Sequence, residues 1–256
     1  MTKMNPAGMR PLLKMAGVTP LLCCLAVAQQ SAGTAGPSLT SIVQGMEKSQ
    51  SEVRAQGPYQ VIREYRLFGA KSSSTNAEVV AQVDFKPASK DYSIQKWSGS
   101  SRGRRIVQRV LDHEVEASKG SQERMALTEN NYDFTLVSET VIDGRPCYVL
   151  TLKPKRKEKE LISGAAWVDK RSFYIMKIEG ETARAPSWWV KNVRVRLTFG
   201  ERSGSWLQTG MDAVADVRLL GSHTLTSRIL DYRGTNMSAS TVPAPPLIQL
   251  PVDRGH

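Results

Sequence analysis

Few residues in this chain are of the types that do chemistry. The histidines are His113, His223 and His256, and beyond the N-terminal segment the single cysteine is Cys147. His113 beside Glu114 is an acid/base pair by type. Neighbouring residues on a helix diverge in direction, however, so the two are poorly placed to share one substrate proton. No His-Glu-x-x-His, paired-cysteine or clustered His/Asp spacing offers a metal site. Nor is there a phosphate-cradling glycine loop or a dinucleotide fingerprint. The sequence therefore assigns no catalytic residue, no metal ligand and no cofactor, and the reading is non-enzymatic. Reviving an enzyme reading would take activity lost on changing a paired acid such as Asp84 or Asp112. Cys147, in an alternating segment before Tyr148, reads as a small buried hydrophobe.

What remains is a set of large apolar side chains that can bind or pack. Trp167, Trp188, Trp189 and Trp206 fall within forty residues. Each carries a large apolar surface with one polar nitrogen, suited equally to a core and to the lining of an apolar cavity. Strand alternation adds Val61, Tyr65, Val83, Phe85, Val195 and Leu197, which with Trp189 and Trp206 are the candidate ligand-lining residues. The same alternation describes a filled core, and both readings stay open here.

The elements that would position them are mostly strands. Leu39, Ile42, Val43, Met46 and Val53 recur at helical spacing, which predicts an amphipathic helix over 38–55, ended by Gly57-Pro58. Strands are expected over 59–68, 79–85 and 92–97. Ile106, Val107, Val110, Leu111 and Val115 then share one predicted helical face, and a second short helix is expected over 121–128. These helices cap the core or form a lid over a cavity. Strands return over 132–138, 146–153, 161–169, 173–180, 192–200, 205–207, 211–219 and 224–232, with Asp143-Gly144 and Ser203-Gly204 as hairpin turns. Asp169 to Ser172 should form another turn, with Asp169 accepting from local amides. Val193, Val195, Leu197 and Phe199 face one way and Arg194, Arg196 and Thr198 the other, as in a sheet with one wet side. Ten or eleven antiparallel strands exceed what a flat sheet holds, so the sheet should curl strongly or close partly.

The ends read differently. Lys3, Arg10 and Lys14 precede the apolar run from Pro20 to Ala28, and Ala26-Val-Ala28 is a small-x-small cleavage site. This is the layout of a cleaved secretory signal peptide over 1–28. The alternatives are an uncleaved anchor, for which the run is only about half of the roughly 20 apolar residues needed, and a lipoprotein signal at Cys23 or Cys24. Residues 29–37 form a short leader, 38–232 a single domain, and 233–256 a proline-rich flexible tail. Export predicts a periplasmic location. A lone thiol there forms no internal disulfide, so stability must come from the core.

The formal net charge of +11 falls to about +8 without the three signal cations, which favours anionic partners such as a membrane surface. Arg63, Arg66, Arg102, Arg104 and Arg105 are the candidate basic rim. The cluster Lys153 to Lys159 reads as a solvated loop or an anionic contact site. Export argues against nucleic acid as a partner.

The segments Asn131-Tyr-Asp-Phe134, Gly144-Arg-Pro-Cys-Tyr-Val-Leu-Thr-Leu-Lys-Pro154, Gly164-Ala-Ala-Trp-Val-Asp169, Ile178-Glu-Gly180, Ser187-Trp-Trp-Val190 and Gly204-Ser-Trp-Leu207 carry a resemblance. Over residues 38 to about 232 the chain resembles the bacterial outer-membrane lipoprotein-sorting superfamily, closest to its uncharacterised exported relatives. The resemblance implies a strongly curved, half-open antiparallel β-barrel with covering helices, a mainly β, α+β fold of the lipoprotein-carrier kind. It implies binding of a lipid or lipoprotein acyl chain on the concave face, in lipid or lipoprotein trafficking. It also implies an arginine on an early strand that bonds to the covering helices, a place for Arg63 or Arg66. The rival reading is a cell-envelope protein-interaction or sensor module without small-molecule cargo.

Overall fold

A computed structural model describes residues 36–69, 75–87, 89–120, 122–188, 190–219 and 221–234. The expected signal peptide and most of the leader and tail lie outside the described residues, as does Trp189.

Helix α1 (Leu39–Arg54) starts where Ser38 Oγ accepts the Ser41 amide at 3.1 Å, an N-cap that satisfies one of the free amides of the first turn. Its apolar stripe, Ile42, Val43 and Met46, is fully buried. Strands β1 (Tyr59–Phe68), β2 (Thr75–Lys86) and β3 (Ser89–Gly99) follow as a meander. Helix α2 (Ser101–Gly120) and the one-turn α3 (Gln122–Met125) interrupt the strands. Then come β4 (Tyr132–Ile142), β5 (Arg145–Pro154), β6 (Ile162–Asp169), β7 (Ile175–Thr182), β8 (Val190–Arg202), β9 (Ser205–Val217) and β10 (Gly221–Gly234).

All ten strands form one antiparallel sheet in the order β3-β2-β1-β10-β9-β8-β7-β6-β5-β4. The sheet is curved and open, because β3 and β4 end the order without pairing to each other. The chain closes the middle by pairing β1 with β10, Tyr65 opposite Ser227. The two expected hairpins have the geometry that their residues demand. Asp143 and Gly144 have φ of 49° and 76°, and Ser203 and Gly204 have 48° and 81°, as two-residue turns with positive φ require.

Two helix-on-sheet cores result. Under α1, Ile42, Val43 and Met46 pack on Tyr148, Leu150, Leu152, Ala166, Val168 and Ile178. Under α2, Val107 and Leu111 pack on Val61, Tyr65, Leu67, Val79, Ala81 and Leu225. The small side chains of β2 let α2 come close: a Cβ on Gly103 would lie 2.4 Å from that of Ala77. This fixes the helix face, and Ile106, expected inside, is instead exposed.

Three strand expectations change. The strands expected over 205–207 and 211–219 are one continuous strand, β9, which ends at Val217, because Gly210 lies in register opposite Thr198 of β8 and Arg228 of β10 and does not break it. Phe173 does not begin β7 but sits in the turn before it with φ 59°. The order of helices, strands and hairpins otherwise follows the expected elements, with β2, β3, β4, β5, β8 and β10 running longer because ladder pairing carries past the apolar core positions.

Candidate functional site

Between the two helix-on-sheet cores the concave face is not filled. Two adjoining cavities lie there, of about 380 Å³ and 400 Å³. They share a wall formed by Val53 and Arg54 of α1, Gln122 and Met125 of α3, Phe199 of β8 and Trp206 of β9.

The first chamber is apolar. Its floor is Ile175, Ile178, Leu197 and Phe199 on β7 and β8; Tyr132, Ile162 and Tyr174 close the sides, and Val53 and Leu127 the cover. Trp206 is 6% exposed, stacks on Tyr174 at 4.9 Å between centroids, and donates its indole N–H to the Ile175 carbonyl at 3.2 Å. Its polar handle is thus satisfied by backbone, leaving the ring face as the wall.

Hydrogen bonds hold the cover over this chamber. Gln50 on α1 donates to the Leu127 carbonyl at 2.9 Å and accepts the Leu127 amide at 3.0 Å. Glu47 Oε1 accepts the Glu129 amide at 2.9 Å, and Ser49 Oγ donates to the Phe173 carbonyl at 2.8 Å. Arg156 bonds to Glu158, Asn131 and the Arg124 carbonyl, so the Lys153–Lys159 cluster is partly a clasp on the α3 segment.

The second chamber is mixed. Tyr59, Phe85, Ala117 and Leu207 line it together with Arg63, Lys90, His113 and Glu114. Arg63, from the inward face of β1, is only 7% exposed. Its Nη2 donates to the Gln208 carbonyl at 2.7 Å, while its Nε has no hydrogen-bond partner. The Tyr65 hydroxyl lies beside Arg63 and the Ser227 hydroxyl. Lys90 Nζ stands 3.9 Å from Glu114 Oε2, a loose pair. Burial lowers the Lys90 pKa, opposed by the Glu114 charge and assisted by Arg63. Burial, with Glu114 adding to it, raises Tyr65, and burial pushes Tyr59 up to about 12 against the pull of Arg63.

The predicted lining residues separate into groups. Phe85, Leu197 and Trp206 line the chambers. Val61, Tyr65 and Val83 are buried in the filled core under α2. Val195 is half-buried and lines a shallow depression with Glu181 and Val214, apart from both chambers. Sequence reasoning missed Val53, Leu127, Ile175 and Ile178, which are ordinary core residues by type. Their helix and strand positions gave no sign that the space between them stays open.

The basic candidates also separate. Arg63 is inside the fold and not on a rim, because β1 alternation turns it to the concave face; its recorded bond is to β9 and not to a covering helix. Arg66, one step out of phase, is on the other face, paired with Glu64 at 2.9 Å and Glu78 at 3.4 Å. It cannot reach the helices. Arg102 and Arg105 are exposed on α2, and Arg104 lies half-buried over the Trp97 ring at 5.0 Å. Asp112 accepts from Tyr92 at 2.5 Å, while Asp84, bonded to Gln60, lies on the opposite face of the sheet. The two acids share no site. Among the described residues no group of three or more His, Cys, Asp or Glu side chains could hold a metal ion, and no helix is long and apolar enough to cross a membrane.

A family model described as an uncharacterized protein matches residues 100–214. No curated protein matches the chain. Among solved structures, the chain is similar to a DUF1329 family protein from Desulfovibrio piger, at 14% identity over 80% of this chain and 96% of that one, with a TM-score of 0.40. It is similar to a LolA superfamily protein from Nitrosomonas europaea at 13% identity, over 79% and 96%, with a TM-score of 0.36. It is also similar to a domain named for outer membrane lipoprotein sorting from Vibrio parahaemolyticus at 15% identity, over 78% and 95%, with a TM-score of 0.39.

Proposed function

We propose that this protein is an exported, non-enzymatic carrier that buries a lipid or lipoprotein acyl chain between α1 and the concave face of its sheet, in trafficking within the cell envelope. The observation that carries this reading is the apolar chamber of about 380 Å³ roofed by α1 and floored by Ile175, Ile178, Leu197 and Phe199. Cavities of this size and character suit a hydrophobic ligand. Each methylene transferred there is worth about 0.8 kcal/mol, so an eight-carbon stretch contributes about 6 kcal/mol before ordering costs. Hydrogen bonds such as those of Gln50 hold α1 over the chamber.

Native mass spectrometry with lipid extraction tests this, on protein purified from its own envelope beside Leu197→Glu. Leu197 is only partly buried, so a carboxylate there reaches the chamber without filling a tight core position. Co-purifying lipid or lipoprotein that falls several-fold in the variant is the expected result.

A second reading, an envelope protein-interaction module, is favoured by β4. This edge strand leaves Leu136, Val137 and Val141 exposed, and such an edge is able to pair with another chain. An empty, folded protein that retains a stable protein partner would decide for it.

A further inference from the structure

The polar chamber contains more cationic capacity than its surroundings satisfy. Arg63 is 7% exposed, donates from Nη2 to the Gln208 carbonyl and forms no ion pair among the described residues, and a buried cation without a counter-charge is costly. Lys90 and Glu114 face the same space with side chains 31% and 22% exposed, open to a ligand yet largely shielded from water. Their 3.9 Å separation is beyond hydrogen-bond length, so the pair neutralises charge without saturating the ammonium donors. With Arg54 at the shared wall, Arg54, Arg63 and Lys90 stand against the single carboxylate of Glu114 among the lining residues.

The position of this cluster is as telling as its composition. Val53, Arg54, Gln122, Met125, Phe199 and Trp206 line both chambers, so the two spaces meet at these side chains. A methylene occupies nearly the volume of a liquid water, about 30 Å³, so the apolar chamber accommodates about a dozen carbons of one chain.

We propose that the polar chamber seats the anionic head of a single-chain amphiphile whose tail occupies the apolar chamber. In this arrangement Lys90 Nζ donates to the head, the buried charge of Arg63 attracts it from the chamber wall, and Glu114 holds Lys90 in place until the head displaces it. The ligand is thus recognised by an interior anion site, and the exposed arginines of α2 take no part in selecting it. This rests on the acyl-carrier reading and adds the chemistry of the head. The shared chemistry is a compact anion, carboxylate or phosphate monoester.

Calorimetric titration of the delipidated protein with dodecanoate, dodecyl phosphate and dodecanol tests it, in wild type, Lys90→Gln and Glu114→Gln. Both anions are expected to bind at least tenfold tighter than dodecanol, since hydrogen bonds to charged groups carry that much. Lys90→Gln should remove most of this advantage, and Glu114→Gln should strengthen anion binding about threefold by removing the competing carboxylate. Dodecanol affinity should stay within about twofold throughout. Opposite responses of the two variants cannot come from misfolding, and the ratio of the two anions names the head. If dodecanol binds as tightly as the anions and neither variant changes that, the anion site is overturned while the acyl chamber stands. If none of the three binds, both proposals fall.

Discussion

The ring of Phe173 occupies the space that a side chain on Gly45 would need: a Cβ there would lie 2.6 Å from Cγ and 2.8 Å from both Cδ atoms. This contact docks α1 on the turn between β6 and β7. Phe173 reaches it from a backbone with φ 59°, a conformation that bulky residues seldom adopt. The turn around it holds that conformation: the Phe173 amide donates to the Asp169 carbonyl at 2.9 Å and its own carbonyl accepts Ser49 Oγ. A sequence-local strain at one residue therefore seats the helix that roofs the apolar chamber.

Gly45→Ala should consequently destabilise the protein, although alanine is the better helix former. The gain in propensity is about 1 kcal/mol, while overpacking a fixed ring costs about 1–3 kcal/mol. Thermal unfolding should shift down by a few degrees, and Phe173→Leu in the same chain should recover part of the loss. A melting temperature equal to or above that of wild type would mean that the ring moves aside and does not define the docking.

Gln50→Ala should loosen the cover without unfolding the sheet. It removes both bonds to Leu127, whose residue is 5% exposed, so its amide and carbonyl lose partners that water cannot readily replace. The cost is about 1–3 kcal/mol for such unsatisfied groups. Hydrogen exchange should quicken at the Leu127 amide and in α1 while β1 and β2 stay protected. Uniform acceleration across the chain would show that α1 unfolds only with the whole domain.

Acid should expose the part played by Asp169. Burial alone would raise its carboxyl pKa, but the Ser172 amide and hydroxyl, the Arg171 amide and the Arg145 charge outweigh it and hold the group below the usual range. Because the folded pKa is depressed, the contribution is fully present above the unfolded value of about 3.9 and is lost as pH falls through the folded value beneath it. Asp169→Asn should lose about 2 kcal/mol at neutral pH and show a shallower decline below about pH 4 than wild type. Equal slopes in urea melts taken from pH 6 to pH 2 would contradict this.

The thiol of Cys147 offers a simple probe of the core. It is fully buried, and burial first, then the nearby Asp169 charge, raises its pKa. Thiol reagents should therefore label it only as fast as the domain opens, with the rate rising in step with Gly45→Ala destabilisation. Rapid labelling of the native protein would place Cys147 on a locally mobile segment.

Much of this fold was legible because its local signals agree. Alternation along β1 and β2, two positive-φ turn dipeptides and the 3.6-residue stripe of α1 each named its element. The filled and open parts of the concave face were not distinguishable. Val61 and Leu197 have the same strand signature, yet one lies beneath Val107 and Leu111 and the other faces a void, because only the placement of two helices decides which strand is covered. Arg63 and Arg66 show the reverse case. Their three-residue offset already puts them on opposite faces of a strand, but only the fold turns the Arg63 face inward.

The Trp206 ring is part of the wall shared by the apolar and polar chambers. Trp206→Phe keeps a ring to stack on Tyr174 but withdraws the N–H from the Ile175 carbonyl and shortens the wall. The lost hydrogen bond and the partial void together should cost about 2–3 kcal/mol, less than the about 3–5 kcal/mol of a full truncation to alanine. Space released at the wall adds to the chamber, so the chain length bound most tightly should rise by a few carbons. Competition among saturated C8 to C18 carboxylates reads this as a shifted optimum. An unchanged optimum with uniformly weaker binding would make Trp206 a packing residue of the wall and leave the length limit to Phe199 and Met125.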